Sequence, residues 1–203
     1  MFYKGKKVLV TGAGGLVGTQ VAKLLVEQGA EVRGTYRNRE VPSWVGDLET
    51  MQCNFMDIED VKKAVKGMDI VFVCSANTSG AGVMARDPLQ HITPNLIMNS
   101  TLMEESYRAG VERFFFVSSA TTYPPADYPI KEDEAFDGEP YKTYFGVGWM
   151  KRYTEILGQF YHRNNLMKIA MVRPANIYGV QGEFSDETGH VLPALIRRAL
   201  EKQ

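Results

Sequence analysis

Long apolar runs are missing from this 203-residue chain: no stretch reaches the length a helix needs to cross a bilayer, so no membrane partner is expected. The opening Met1-Phe2-Tyr3-Lys4-Gly5 lacks the pattern of a secretion signal, which points to a cytoplasmic protein. Cysteine is scarce. Cys53 and Cys74 fall in apolar, strand-like stretches and read as reduced core thiols, not as a disulfide framework. The three histidines, His91, His162 and His190, have no partners at ligand spacing, and no metal site is expected of them. An excess of one charge is lacking too. The net charge is -1 with no block of lysine and arginine, which argues against a nucleic-acid partner. Repeats and low-complexity tracts are absent.

What the chain does have is a regular alternation of strand-like and helix-like segments. Residues 6–11 form a short β-rich run ending at glycines. Residues 16–28 then show helical spacing through Leu16, Val17, Val21, Leu24 and Leu25, with Gly29 as the stop. Further strands are expected at 31–36, 51–55, 70–75, 114–118 and 168–173. Helices are expected at about 58–66 (capped by Asp57), 94–109, 144–163 and from 191 onward. Residues 70–75 are continuously apolar, as strands covered on both faces are. Strand and helix in turn mean parallel strands joined by crossovers: an α/β, Rossmann-like doubly wound parallel sheet. Such sheets take their ligands at the carboxyl ends of the strands.

Thr11-Gly12-Ala13-Gly14-Gly15-Leu16-Val17-Gly18 sits between the first strand and the first helix. Gly12 allows the tight turn, Gly15 lets the backbone approach a pyrophosphate, and Gly18 lets the helix pack close to the sheet. The free N–H groups of Leu16 and Val17 at the helix start then face the phosphates. The strand before and the helix after supply the context a dinucleotide-binding loop requires. At the end of the second strand, Thr35-Tyr36-Arg37-Asn38-Arg39 offers no acid for a ribose 2′-hydroxyl and two arginines instead. Arg37 can pair with a 2′-phosphate, which favours NADP over NAD; the plainer reading of Arg37 is a solvated loop residue.

Four motifs in this order resemble the extended short-chain dehydrogenase/reductases, specifically the NAD-dependent epimerase/dehydratase family that acts on nucleotide sugars. They are the glycine loop, Val-Ser-Ser-Ala-Thr-Thr-Tyr-Pro at 117–124, the helix carrying Lys151 and Glu155, and Arg-Pro-Ala-Asn-Ile-Tyr-Gly at 173–179. The resemblance implies a cofactor-binding set of Gly12, Gly15, Leu16, Val17, Gly18, Tyr36, Arg37, Asn54, Phe55, Ser75, Ala76, Lys151, Pro174 and Ala175. It implies substrate contacts at Thr78, Ser119, Asn176 and His190. It divides the chain into a dinucleotide-binding domain, residues 1–176, and the beginning of a truncated or naturally shortened C-terminal substrate lobe, residues 177–203. It also implies a nucleotide-sugar substrate and a homodimer built from the helices at 94–109 and 144–163.

In such families a tyrosine stands four residues before the lysine on one helix, one turn away on the same face. The lysine bonds the nicotinamide ribose and lowers the tyrosine pKa, the tyrosine passes the proton, and a serine or threonine after the fifth strand shares the hydrogen bond to the reacting oxygen. Ser119 and Lys151 fit these places; four residues before Lys151, however, stands Val147, which carries no proton. Three explanations stay open. Tyr144, about 4.5 Å further along the axis on nearly the same face, can serve as acid/base with Ser119 and Lys151. The acid can instead come from a loop (Tyr123 is one candidate) or from a further C-terminal part. Otherwise the chain is a non-catalytic NADP-binding module. Sugar 4,6-dehydratases of the family place Asp-Glu after the catalytic hydroxyl, where this chain has Ala120 and Thr121. That leaves epimerase or 4-keto-reductase chemistry, with reduction of a small non-nucleotide carbonyl as the rival.

Overall fold

The β-branched, apolar segment Lys-Val-Leu-Val-Thr forms β1 (Lys7–Thr11) at the centre of the molecule, with Val8, Leu9 and Val10 wholly buried. The computed structural model describes residues 1–78, 86–87, 89–182, 184 and 191–201. In it, β1 is joined by β2 (Glu31–Tyr36), β3 (Glu49–Gln52), β4 (Ile70–Val73), β5 (Arg113–Val117) and β6 (Lys168–Val172). Every neighbouring pair is parallel, and the order across the sheet is β3-β2-β1-β4-β5-β6. The order reverses between β1 and β4, which opens a crevice at their carboxyl ends.

The helices are α1 (Leu16–Glu27), α2 (Ile58–Val65), α3 (Leu89–Arg108), α4 (Phe145–Arg163) and α5 (Val191–Glu201). The period-two alternation of β1 divides its side chains between two cores. Val8 and Val10 pack with Ala22 and Leu25 of α1, whereas Leu9 joins Val71, Val73, Phe114 and Phe116 beneath α2 and α3. Asp57 caps α2 by accepting from the Glu59 N–H at 2.9 Å. Among the described residues no helix is long and apolar enough to cross a membrane.

Several boundaries differ from the pattern in the sequence, each for a local reason. β3 ends before Asn54 because a turn begins there: the Asp57 N–H donates to the Asn54 carbonyl at 2.8 Å, and the Asn54 N–H to Asp60 Oδ2 at 3.0 Å. β4 stops at Val73 because the N–H groups of Cys74 and Ser75 both turn to Thr11 Oγ1, at 3.1 Å each. The largest difference is in α3. It was expected to begin at Pro94, yet it runs through that proline from Leu89. Proline removes the N–H that would bond the carbonyl four residues back. That carbonyl belongs to Gln90, and Asn77 Nδ2 donates to it at 3.0 Å, so the gap in the ladder is filled from a loop. Tyr144, expected as the first residue of the following helix, instead closes a 3-10 turn (Lys142–Tyr144) and stands just before α4.

Candidate functional site

The glycine loop leaves the carboxyl end of β1 and is fixed from several sides. The Ala13 N–H donates to the Thr35 carbonyl of β2 at 2.8 Å, and Thr19 Oγ1 reaches back to the Ala13 carbonyl at 2.9 Å. Thr11 Oγ1 lies 2.8 Å from Ser75 Oγ, which ties the loop to the end of β4. Gly12 has φ +66°, and a Cβ there would stand 2.8 Å from Ser75 Cα. At Gly18 a Cβ would run into the Gly12 carbonyl, so the first turn of α1 can lie against the loop only as glycine. Gly14 is equally constrained, because a Cβ would meet the carbonyl oxygen of Arg39. Gly15 precedes α1 as a cap without a side chain and no acid stands in the first turn, so the leading N–H groups of the helix are left to an external anion. This cradle fits the pyrophosphate of a dinucleotide.

The other residues of the expected cofactor set distribute unevenly. Tyr36 is half-buried at the end of β2 and Arg37 is exposed beside it. Ser75 and Ala76 follow β4. Asn54 is exposed in its turn, and the ring of Phe55 belongs to the core beneath α2, which leaves only its backbone for a ligand. Of the expected substrate contacts, Thr78 and Asn176 are exposed and His190 lies outside the described residues.

A second group assembles at the ends of β5 and β6. Ser119 is half-buried and accepts hydrogen bonds from the N–H and hydroxyl of Thr121, at 3.1 and 3.0 Å. The Ala120 N–H donates to the Pro174 carbonyl at 3.0 Å, which holds Ser119 beside the Pro174-Ala175 segment. Lys151 reaches across from α4, where Nζ donates to the Val117 carbonyl at 2.8 Å and stands 4.6 Å from the centre of the Phe116 ring. The side chain is nearly covered, and that burial pushes its pKa down to about 8 against the opposing pull of Glu155. Ser119, Lys151 and Pro174 are thus brought together, while Val147 and Tyr144 are half-buried one and two turns before Lys151.

Beneath them lies a charged cluster that the sequence pattern did not assign. Glu155, only 1% exposed, accepts from Arg173 Nε on both oxygens (3.0 and 3.1 Å), from Arg173 Nη2 at 2.7 Å, and from the Ser118 hydroxyl. Arg173 also donates to the Glu132 carbonyl at 2.6 Å and to Tyr123 Oη at 3.3 Å. Tyr123 Oη is thus an acceptor in this cluster, and its own proton is not used there. Arg152, 1% exposed, donates through Nε to the Thr122 carbonyl at 2.8 Å and stacks on Trp149 and Phe136, and among the described residues Nη2 has no hydrogen-bond partner. The i, i+4 spacing of Lys151 and Glu155 is the one sequence signal that could have pointed here. An open cavity of about 900 Å³ between Pro124, Tyr128, Pro140 and Phe145 shares no lining residue with the glycine edge.

With the glycine cradle on one side of the crevice and the Lys151–Ser119 pair on the other, the lineage can be read directly. The family model for the NAD dependent epimerase/dehydratase family matches residues 8–203. The chain belongs to that family. It is 30% identical over 202 residues to a GDP-L-fucose synthase of Sinorhizobium fredii, covering 97% of this chain and 60% of that protein. It is 28% identical over 208 residues to a dTDP-4-dehydro-6-deoxy-D-allose reductase of Streptomyces bikiniensis, covering 97% and 64%. A solved UDP-glucose 4-epimerase from Thermotoga maritima superposes with a TM-score of 0.81 at 25% identity, over 97% of this chain and 64% of that one. The chain thus spans less than two thirds of the length of these relatives.

Proposed function

We propose that the chain is the cofactor-binding part of an NADP-dependent nucleotide-sugar epimerase or 4-keto-reductase, with the substrate lobe beginning at about residue 177. The observation that carries this reading is the placement of the glycine cradle and the Lys151–Ser119 pair on one carboxyl edge of the sheet, on either side of the crevice. A nicotinamide bound there would supply or accept a hydride at a sugar carbon. The residues supply the rest. Lys151, now bound to the Val117 carbonyl, would hold the ribose hydroxyls of the bound cofactor. Ser119 already accepts two hydrogen bonds from Thr121, so its own proton is free to point at the sugar oxygen. Tyr144 is the assigned proton carrier in place of Val147. The relatives named for GDP and dTDP sugars support a sugar linked to a nucleoside diphosphate as substrate class. Val147 itself supports the rival, a non-catalytic NADP-binding module, which turnover of any nucleotide sugar excludes.

NADP is favoured because Arg37 is exposed at the end of β2 and makes no ion pair among the described residues. Fluorescence titration should show NADPH binding more tightly than NADH. Arg37→Ala should weaken NADPH by about 10- to 100-fold, the worth of a charge-assisted pair, and leave NADH unchanged. Preference for NADH would discard the role of Arg37, and binding of neither would end the dinucleotide reading.

The same reading pairs two copies through α3 and α4. Phe145, Trp149, Tyr153, Ile156 and Phe160 follow one face of α4 and stay exposed, with Ile97 exposed on α3. A stripe of this size on a lone subunit is the mark of an interface. Sedimentation equilibrium at micromolar concentration should give a dimer that Tyr153→Glu dissociates; a monomeric wild type would remove the homodimer.

A further inference from the structure

The loops that follow β2 and β6 start four strand spacings apart in the sheet, roughly 19 Å at the separation of paired strands. They nevertheless meet. Arg39 Nη1 donates to the Gln181 carbonyl at 2.8 Å, and Nη2 donates to Gln181 Oε1 at 2.7 Å. Both loops touch the glycine-loop end of β1, beside β2, so it is the loop after β6 that comes across from the far side of β5 and β4. Each loop also touches the start of α1. On the β2 side the backbone of Arg39 and Glu40 lies on Gly14, where a Cβ would stand 2.8 Å from the Glu40 carbonyl oxygen. On the β6 side, Gly179 lies against Leu16, where a Cβ would stand 3.1 Å from Cδ1. The Gly182 N–H folds that segment back by donating to the Gly179 carbonyl at 2.8 Å.

We propose that the Arg39–Gln181 bridge is a strap across the dinucleotide groove, which opens to admit or release the cofactor and so sets its exchange rate. The inference rests on reading the groove as a dinucleotide site. A dinucleotide with its pyrophosphate on the first turn of α1 would lie beside Gly14 and Leu16, the two points that the loops touch. Among the described residues the partners of Arg39 are neutral oxygens, so opening the strap separates no ion pair among them. Water replaces such bonds at small net cost, which suits a contact made and broken in each cycle.

Stopped-flow fluorescence with NADH separates the strap from the charge of Arg39, because NADH has no 2′-phosphate. Arg39→Ala and Gln181→Ala should raise both the association and the dissociation rate, Arg39→Ala by about tenfold, with little change in Kd, since both directions pass the same barrier. The paired change Arg39→Cys with Gln181→Cys, joined by a short bis-maleimide, tests the opposite state. Joined before NADH is added, it should slow uptake by about tenfold or more; joined after loading, it should retain the cofactor through gel filtration. Cys53 and Cys74 should not compete for the reagent, because burial raises both thiols to about 12. Unchanged rates on both opening and joining would overturn the strap, as would weaker binding expressed only in dissociation. A wild type that binds neither NADH nor NADPH overturns the groove reading itself, and is seen before any variant is made.

Discussion

Replacing Glu155 by alanine should lower the stability of the fold by about 3–5 kcal/mol, the loss expected when one partner of a buried ion pair is removed. Glu155 is the anion shared by a cluster of cations. Arg173 binds it through three hydrogen bonds, Ser118 donates to it, and its charge acts on both Lys151 and Arg152. Without it, the buried guanidinium of Arg152 keeps the Thr122 carbonyl, two aromatic faces and the weaker pull of Glu139, and Arg173 keeps the Glu132 carbonyl and Tyr123. Neither group can shed its charge as a carboxylate or a lysine would, because guanidinium stays protonated. The cost therefore falls on folding. Urea unfolding at pH 7 measures it, and a loss below about 1 kcal/mol would mean that the arginines reach water without unfolding. Glu155→Gln separates shape from charge: it keeps an acceptor for Arg173 while removing the anion, and should lose most of the same stability.

Much of the sheet could be read from the chain because its periodicity is local. A strand buried on both faces must be apolar throughout, as Ile70–Val73 is, and the crossover helices must show one apolar stripe. The glycine loop was equally legible, since a tight turn and a close backbone approach both restrict residue type at fixed spacing. Reading failed where the decisive partner is remote in sequence. Pro94 has every mark of a helix start until Asn77 is known to supply the missing donor to Gln90. Gly14 looks like a spare glycine until Arg39 is seen lying on it. Glu155 and Arg173 were visible only as parts of two separate motifs, because the ion pair between them joins a helix to a strand end. Arg39 counted only as the second of two arginines after β2, and nothing near it in the chain points to Gln181, 142 residues on. The gap at Val147 was legible at once, since a side chain without a proton is a local fact.

Lys151→Met should produce a protein that is more stable at neutral pH and inert in turnover. Burial lowers the lysine pKa from 10.5 to about 8. Between those values the unfolded chain binds more protons than the folded one, so wild-type stability should rise with pH across that window. Below about 8 the folded protein carries the full cost of a buried ammonium, about 3 kcal/mol from the size of the shift. Methionine removes that cost and leaves the Val117 carbonyl without its donor, worth about 1–3 kcal/mol in the other direction. The net gain is small, but the pH signature is not: the rise in stability between pH 8 and 10.5 should vanish in the variant. Thermal unfolding at several pH values reads this without any substrate, and an unchanged slope would mean that Lys151 is not the group that titrates. Turnover gives the second readout. If Lys151 sets the ribose and the proton carrier, its loss should cost about 10²–10⁴-fold in kcat. Tyr144→Phe should cost a similar factor while leaving the stability slope of the wild type intact. A Tyr144→Phe enzyme of full activity would take the proton carrier away from Tyr144 and leave Lys151 where it is. The two variants therefore divide what Lys151 does by its charge from what the missing tyrosine at 147 would have done by its proton.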